Sequence, residues 1–153
     1  MTGPSEKMQV TGRLTIVLKG PDGSVKDTRD IKNLVVNTGL AHITSRLLGT
    51  TSGVMTHMAL GAGTAAAAAG NTTLGSQLGS RKVFDSAVQS GTNNESITYV
   101  TTFAAGEATG SVTEAGIFNA STSGTMLCRT VFSVVTKGAA DVLTVTWTVA
   151  FAG

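Results

Sequence analysis

Residues 143–151 alternate without a break: Leu143, Val145, Trp147, Val149 and Phe151 are separated by Thr144, Thr146, Thr148 and Ala150. Successive side chains on a strand point to opposite faces, so this period puts every large apolar group on one side and threonine on the other. A helix needs its apolar residues three and four apart and cannot use the pattern. The same period recurs at 10–18, where Val10, Leu14, Ile16 and Leu18 oppose Thr11, Arg13, Thr15 and Lys19. It recurs again through Ile97, Tyr99, Thr101 and Phe103. A sheet with one apolar face must cover that face with a second layer.

Turn chemistry divides the rest. Gly20-Pro21-Asp22-Gly23 joins the first strand to a second at 25–36 as a hairpin, with Pro setting φ and Gly free to take φ > 0. Further strands are expected at 54–60, 81–89, 112–118 and 125–135, bounded by Ser90-Gly91-Thr92-Asn93-Asn94, Ser121-Thr122-Ser123-Gly124 and Lys137-Gly138. One segment has the helical period: Leu40, Ile43, Thr44, Leu47 and Leu48 predict a helix over 38–48. Asn37 or Thr38 is its expected cap, Gly49 its left-handed terminator, and Arg46 suits the negative end of its dipole. Such a short helix must lie on a sheet.

Gly61-Ala62-Gly63-Thr64 and the run Ala65–Ala69 carry no large apolar residue and read as a flexible loop, after which Asn71 is expected to cap one turn through Leu74 and Leu78. The expectation is a mainly β protein: an antiparallel, jelly-roll-like β-sandwich of seven or eight strands with one short α-helix. It forms a single domain over 10–153, preceded by an N-terminal arm over 1–9. Its expected core is Leu14, Ile16, Leu34, Leu40, Ile43, Leu47, Tyr99, Phe103, Phe118, Leu143, Val145, Trp147 and Val149.

Charged residues are only 13% of the 153, about half the usual share, while 41% are hydrophobic. Thr, Ser, Gly and Ala must therefore cover much of the surface, a composition that suits self-association. The net charge of +2 is spread thinly, and Arg81-Lys82 is too short a block to footprint nucleic acid, so no nucleic-acid partner is expected. No apolar run approaches the ~20 residues of a membrane-crossing helix, and the polar start Met1–Lys7 does not resemble a signal peptide. The expectation is a chain made in the cytoplasm, with no membrane partner.

No chemistry-bearing constellation emerges. There is no Walker A sequence and no Gly-x-Ser-x-Gly elbow, and Gly61-Ala62-Gly63 lacks the third glycine of a dinucleotide fingerprint. His42, expected on the solvent side of the helix, and His57 have no nucleophile or carboxylate near them in sequence. Cys128 is alone, which excludes an internal disulfide, and it sits in an apolar run as a buried thiol would. Glu107 and Glu114 are candidates for a carboxylate pair, which a retaining glycosidase holds about 5 Å apart. With one Trp and one Tyr to serve as sugar platforms, each Glu is expected instead to tie a turn through backbone N–H groups. No catalytic residue, metal or cofactor is expected.

Several phrases resemble small structural proteins of tailed-bacteriophage virions. They include Lys32-Asn33-Leu34-Val35-Val36-Asn37-Thr38-Gly39-Leu40, Met58-Ala59-Leu60-Gly61-Ala62-Gly63-Thr64, Leu74-Gly75-Ser76 and Ile97-Thr98-Tyr99. To these are added Gly106-Glu107-Ala108-Thr109-Gly110, Thr113-Glu114-Ala115-Gly116-Ile117-Phe118 and Leu143-Thr144-Val145-Thr146-Trp147. The resemblance runs from about residue 30 onward and extends to capsid decoration (cement) proteins and to tail-fibre or collar β-sandwich domains. It implies a virion component on the capsid surface, or alternatively at the neck or tail. The implied partners are the major capsid protein of the same phage and further copies of the chain, as a trimer or dimer. A fibre-attaching collar domain and a host-receptor or carbohydrate-binding module are the alternatives. The expected partner contacts are the arm residues Met1, Thr2, Gly3, Pro4, Ser5, Glu6 and Lys7, and the loop residues Gly61, Ala62, Gly63 and Thr64.

Overall fold

The structure, a computed structural model, describes residues 6–50 and 53–152. Among the described residues nine strands and one helix follow in order: β1 (Gln9–Lys19), β2 (Val25–Val35), α1 (Asn37–Leu47), β3 (His57–Gly61), β4 (Lys82–Val83), β5 (Ser86–Ser90), β6 (Ser96–Phe103), β7 (Gly110–Phe118), β8 (Met126–Lys137) and β9 (Val142–Ala152). All pair antiparallel, in the spatial order β4-β3-β7-β8-β2-β1-β9-β6-β5. The fold is mainly β, as the alternation requires. The expected strand over 81–89 is two strands, because Phe84 and Asp85 switch the chain from pairing with β3 to pairing with β6.

The sheet curls because β2 serves both halves. Through Asn33 it pairs with β1, then Leu34 and Val35 alone pair with β8. Where β2 and β8 diverge, Arg29 spans the gap, donating to the Ser133 and Val134 carbonyls at 2.9 and 3.0 Å. The two halves thereby face each other across one core. Leu14, Ile16, Leu143, Val145, Trp147 and Phe103 come from one half, and Met58, Leu60, Val112, Ile117 and Val135 from the other.

β7 is buried on both faces from Val112 to Phe118. Val112, Ala115 and Ile117 face the main core, while segment 62–78 crosses the outer face. Under it a second cluster forms from Val36, Ala59, Leu74, Phe118 and Met126. Gly116 makes this possible, since a Cβ there would press on Leu74. Residues 71–78 form no helical turn, contrary to expectation. Asn71 instead accepts from the Ala68 N–H at 2.8 Å and from Arg129 at 2.9 Å.

The helix lies where its period predicts, but on a different face. Gly39 and His42 are its buried residues, because Gly39 lets the first turn rest on the Leu127 backbone. Its first turn is held by Thr38 donating to the Met126 carbonyl at 2.9 Å, not by a side-chain cap. Gly49 takes the expected left-handed conformation, φ 68°. Leu40 and Leu47, expected in the core, are 42% and 80% exposed, and Ile43 is half-buried. Leu34 is also exposed, since the core-facing residue at that point of β2 is Val35. The other expected core residues are buried.

Asn33 reaches over Gly12 on the neighbouring strand to accept the Trp147 indole N–H at 2.9 Å. A methyl at residue 12 would overlap the Asn33 side chain. Gly12→Ala is therefore expected to cost about 1–3 kcal/mol by orphaning that N–H. Urea denaturation of G12A, N33A and the double variant checks it: the two losses should overlap rather than add.

Candidate interaction surface

Segment 62–78 is pinned from beneath by a buried ion pair. Glu114 on β7 and Arg129 on β8 meet at 2.8 Å, essentially without solvent exposure. Glu114 also accepts the N–H groups of Gly63 (2.9 Å), Gly75 (2.9 Å) and Ser76 (2.7 Å). Arg129 donates to the Ala65 carbonyl at 3.0 Å and to Asn71. Burial pushes the Glu114 carboxyl upward, but the Gly75 and Ser76 N–H groups, Arg129 and the Gly63 N–H outweigh it and hold it below its usual value. The glycines are needed here, because a Cβ at Gly61 or Gly63 would enter the space of the carboxylate.

The loop residues expected to touch a partner thus divide. Gly61 closes β3 and is buried, Ala62 and Gly63 are half-buried over Glu114, and Thr64 is exposed. The flexible loop expected from composition is a clasped one, with small side chains presented outward along 64–70. Of the arm, Met1–Ser5 lie outside the described residues, and Glu6 and Lys7 are exposed. Met8, directly after them, borders a different groove from the one Thr64 borders.

The Met8 groove holds about 640 Å³ between α1 and the open end of the sheet. Ile97 and Tyr99 of β6, Val149 and Phe151 of β9, Leu127 of β8 and Met55 form its walls. Met8, Leu47 and Val54 stand exposed at its rim. Buried Tyr99 has its phenol pushed up to about 12 by burial. The sequence reading missed this groove by placing Leu40, Ile43 and Leu47 of α1 in the core. Leu47 and Leu48 side by side were the available signal, since together they widen the stripe beyond what one packed face of a short helix covers.

A second surface is the outer face of β5, β6 and β9. Register places Thr144 beside Thr102, Thr146 beside Val100 and Thr148 beside Thr98, with Ser86 and Val88 on β5. Hydroxyl contacts link Ser90 to Thr98 at 2.9 Å, Thr98 to Thr148 at 3.0 Å and Thr102 to Thr144 at 3.1 Å. None of these outward residues is charged, while Arg13, ion-paired to Asp30, stands beside Thr148 at the border of the face.

His42 is buried rather than on the solvent side, and burial, reinforced by Arg46, lowers its pKa. Burial and Arg81 do the same for His57, which contacts the Thr56 hydroxyl at 2.7 Å. Glu107 accepts from Lys82 at 2.5 Å and from the Ala104 N–H at 2.7 Å. Both glutamates are thus bound to backbone N–H groups and a cation, as the turn-tying reading expects. Cys128 is fully buried, and burial pushes its thiol well above the ordinary value. Among the described residues no group of three His, Cys, Asp or Glu side chains could hold a metal ion, and no helix is long and apolar enough to cross a membrane.

Comparison with known proteins finds no matching family model, no curated relative and no similar solved structure.

Proposed function

We propose that this chain is a non-catalytic bacteriophage virion component, a decoration (cement) protein that binds the outer capsid shell and stabilises it. The observation that carries the reading is the rimmed apolar groove. Leu47 and Leu48 are 80% and 79% exposed beside a cleft walled largely by apolar side chains, an arrangement a protein partner would cover. The uncharged threonine face and the order of the virion-like phrases support it. Each copy would clamp neighbouring shell subunits, and many weak contacts would sum through avidity over the lattice.

The test is to mix the purified chain with capsids of the same phage that lack it. Binding at a stoichiometry set by the shell lattice, together with a raised capsid disruption temperature, is the expected result. Binding only in a single ring at the neck would favour the collar alternative, and no binding to any particle would refute the virion reading. Deleting residues 1–7 should leave the fold intact and reduce occupancy if the arm contributes. Unchanged occupancy would assign the contact to the body of the domain.

A further inference from the structure

We infer that segment 62–78 is an acid-releasable strap, which opens as one unit while the curled sheet beneath it stays folded. The strap has little apolar hold: Leu74 alone among its side chains is buried, in the second cluster. Its polar hold converges on one carboxylate. Glu114 accepts the N–H of Gly63 near the start of the strap and those of Gly75 and Ser76 near its end. Arg129 holds the stretch between them through the Ala65 carbonyl and Asn71, and is itself bound to Glu114. A change at Glu114 therefore reaches both ends of the strap together, so the segment opens cooperatively.

The chemistry at that point selects the proton as the agent. A protonated Glu114 no longer offers a charge to the N–H groups, and it leaves the Arg129 guanidinium buried without its counter-charge. Both side chains are shut off from water while the strap is closed, so opening is how they become solvated. No other charged group faces the site to take over. The strap and the rest of β7 contribute no titratable residue. On β3, His57 pairs opposite Phe118 at the far end of β7. On β8, Lys137 pairs opposite Gly110 at the other end, and Cys128 belongs to the main core. Opening uncovers Phe118 and Met126, which have no exposed surface in the closed chain. It also frees the Asn37 N–H, at the start of α1, from the Ala69 carbonyl.

Amide hydrogen exchange on the full chain tests the inference. At neutral pH the Gly63, Gly75 and Ser76 amides should share one opening free energy, below that of the β1 and β9 amides. It should hardly respond to low urea, because the strap exposes little surface on opening. The Glu114 carboxyl lies below its ordinary 4.5 in the closed chain, so closure is complete above 4.5 and is lost as pH falls through the lower value. Opening within that window takes up one proton, so the shared protection should drop about tenfold per pH unit. Met126 should become oxidisable by dilute peroxide over the same window, while Met58 in the main core stays protected. The double variant Glu114→Gln with Arg129→Met removes both charges, and protection of its strap amides should not change across the window. Should that variant not fold, the wild-type amides and Met126 decide alone. Strap amides that exchange with the free energy and urea dependence of β1 and β9 would overturn the inference. So would three amides with three different opening free energies, a Met126 that oxidises no faster on acidification, or a proton dependence that survives in the double variant.

Discussion

Arg129→Met should lower the free energy of unfolding by about 3–5 kcal/mol, because it leaves the Glu114 carboxylate buried without its cation. Arg129 and Glu114 are 2% and 0% exposed at their side chains, so water cannot take over the lost interaction. The methionine replaces much of the stem volume but none of the bonds to Ala65, Asn71 and Glu114. Segment 62–78 should loosen first. Urea denaturation measures the loss, and limited proteolysis within 64–70 should accelerate. An unchanged urea midpoint with unchanged protease resistance would show that the clasp contributes nothing.

The same pair sets a direction for pH. The Glu114 carboxyl is depressed in the folded chain from its ordinary value of 4.5. A depressed carboxyl stabilises the fold above that ordinary value, and the contribution disappears as pH falls through the folded pKa. Wild type should therefore lose stability on acidification below about pH 4.5. Arg129→Met, with less depression to lose, should show a shallower acid slope.

Trp147→Ala should cost a similar amount, about 3–5 kcal/mol, through a cavity at the centre of the fold. Trp147 has no exposed surface, pairs in register with Leu14 on β1 and Tyr99 on β6, and donates to Asn33. The curled sheet closes around it from three strands, which leaves little freedom for the cavity to collapse. Trp147→Phe should be milder, because it keeps an aromatic body and loses chiefly the indole bond. Chemical denaturation should rank wild type above Phe above Ala. A Phe variant no more stable than the Ala variant would place the main contribution in the hydrogen bond to Asn33.

Much of this fold was legible in the order of residues, and the reason is local. Alternation of apolar and polar residues specifies a strand and its buried face from a handful of neighbours, so β1, β6 and β9 lie where the period puts them. The Gly20–Gly23 hairpin and the Gly49 terminator were legible for the same reason: each needs only a backbone angle that its own residue permits. The Glu-Ala-Gly-Ile-Phe run on β7 was only half legible. Its apolar character marked burial, but the outer-face cover comes from a segment some forty residues earlier in the chain.

Tertiary structure alone decided the rest. The stripe on α1 specified a helix but not which side would be covered, and Gly39 against the Leu127 backbone turned Leu40 and Leu47 towards solvent. Composition described 61–70 as a flexible stretch of small residues. That it is clasped depends on Glu114 and Arg129, which stand on neighbouring strands and meet only once β7 and β8 pair. The groove beneath α1 likewise has walls from β6, β8, β9 and the helix, and no single segment carries its signature. Periodicity is a short-range property and reports which face an element buries. What lies against that face depends on contacts between segments far apart in the chain, and these exist only after the sheet has curled.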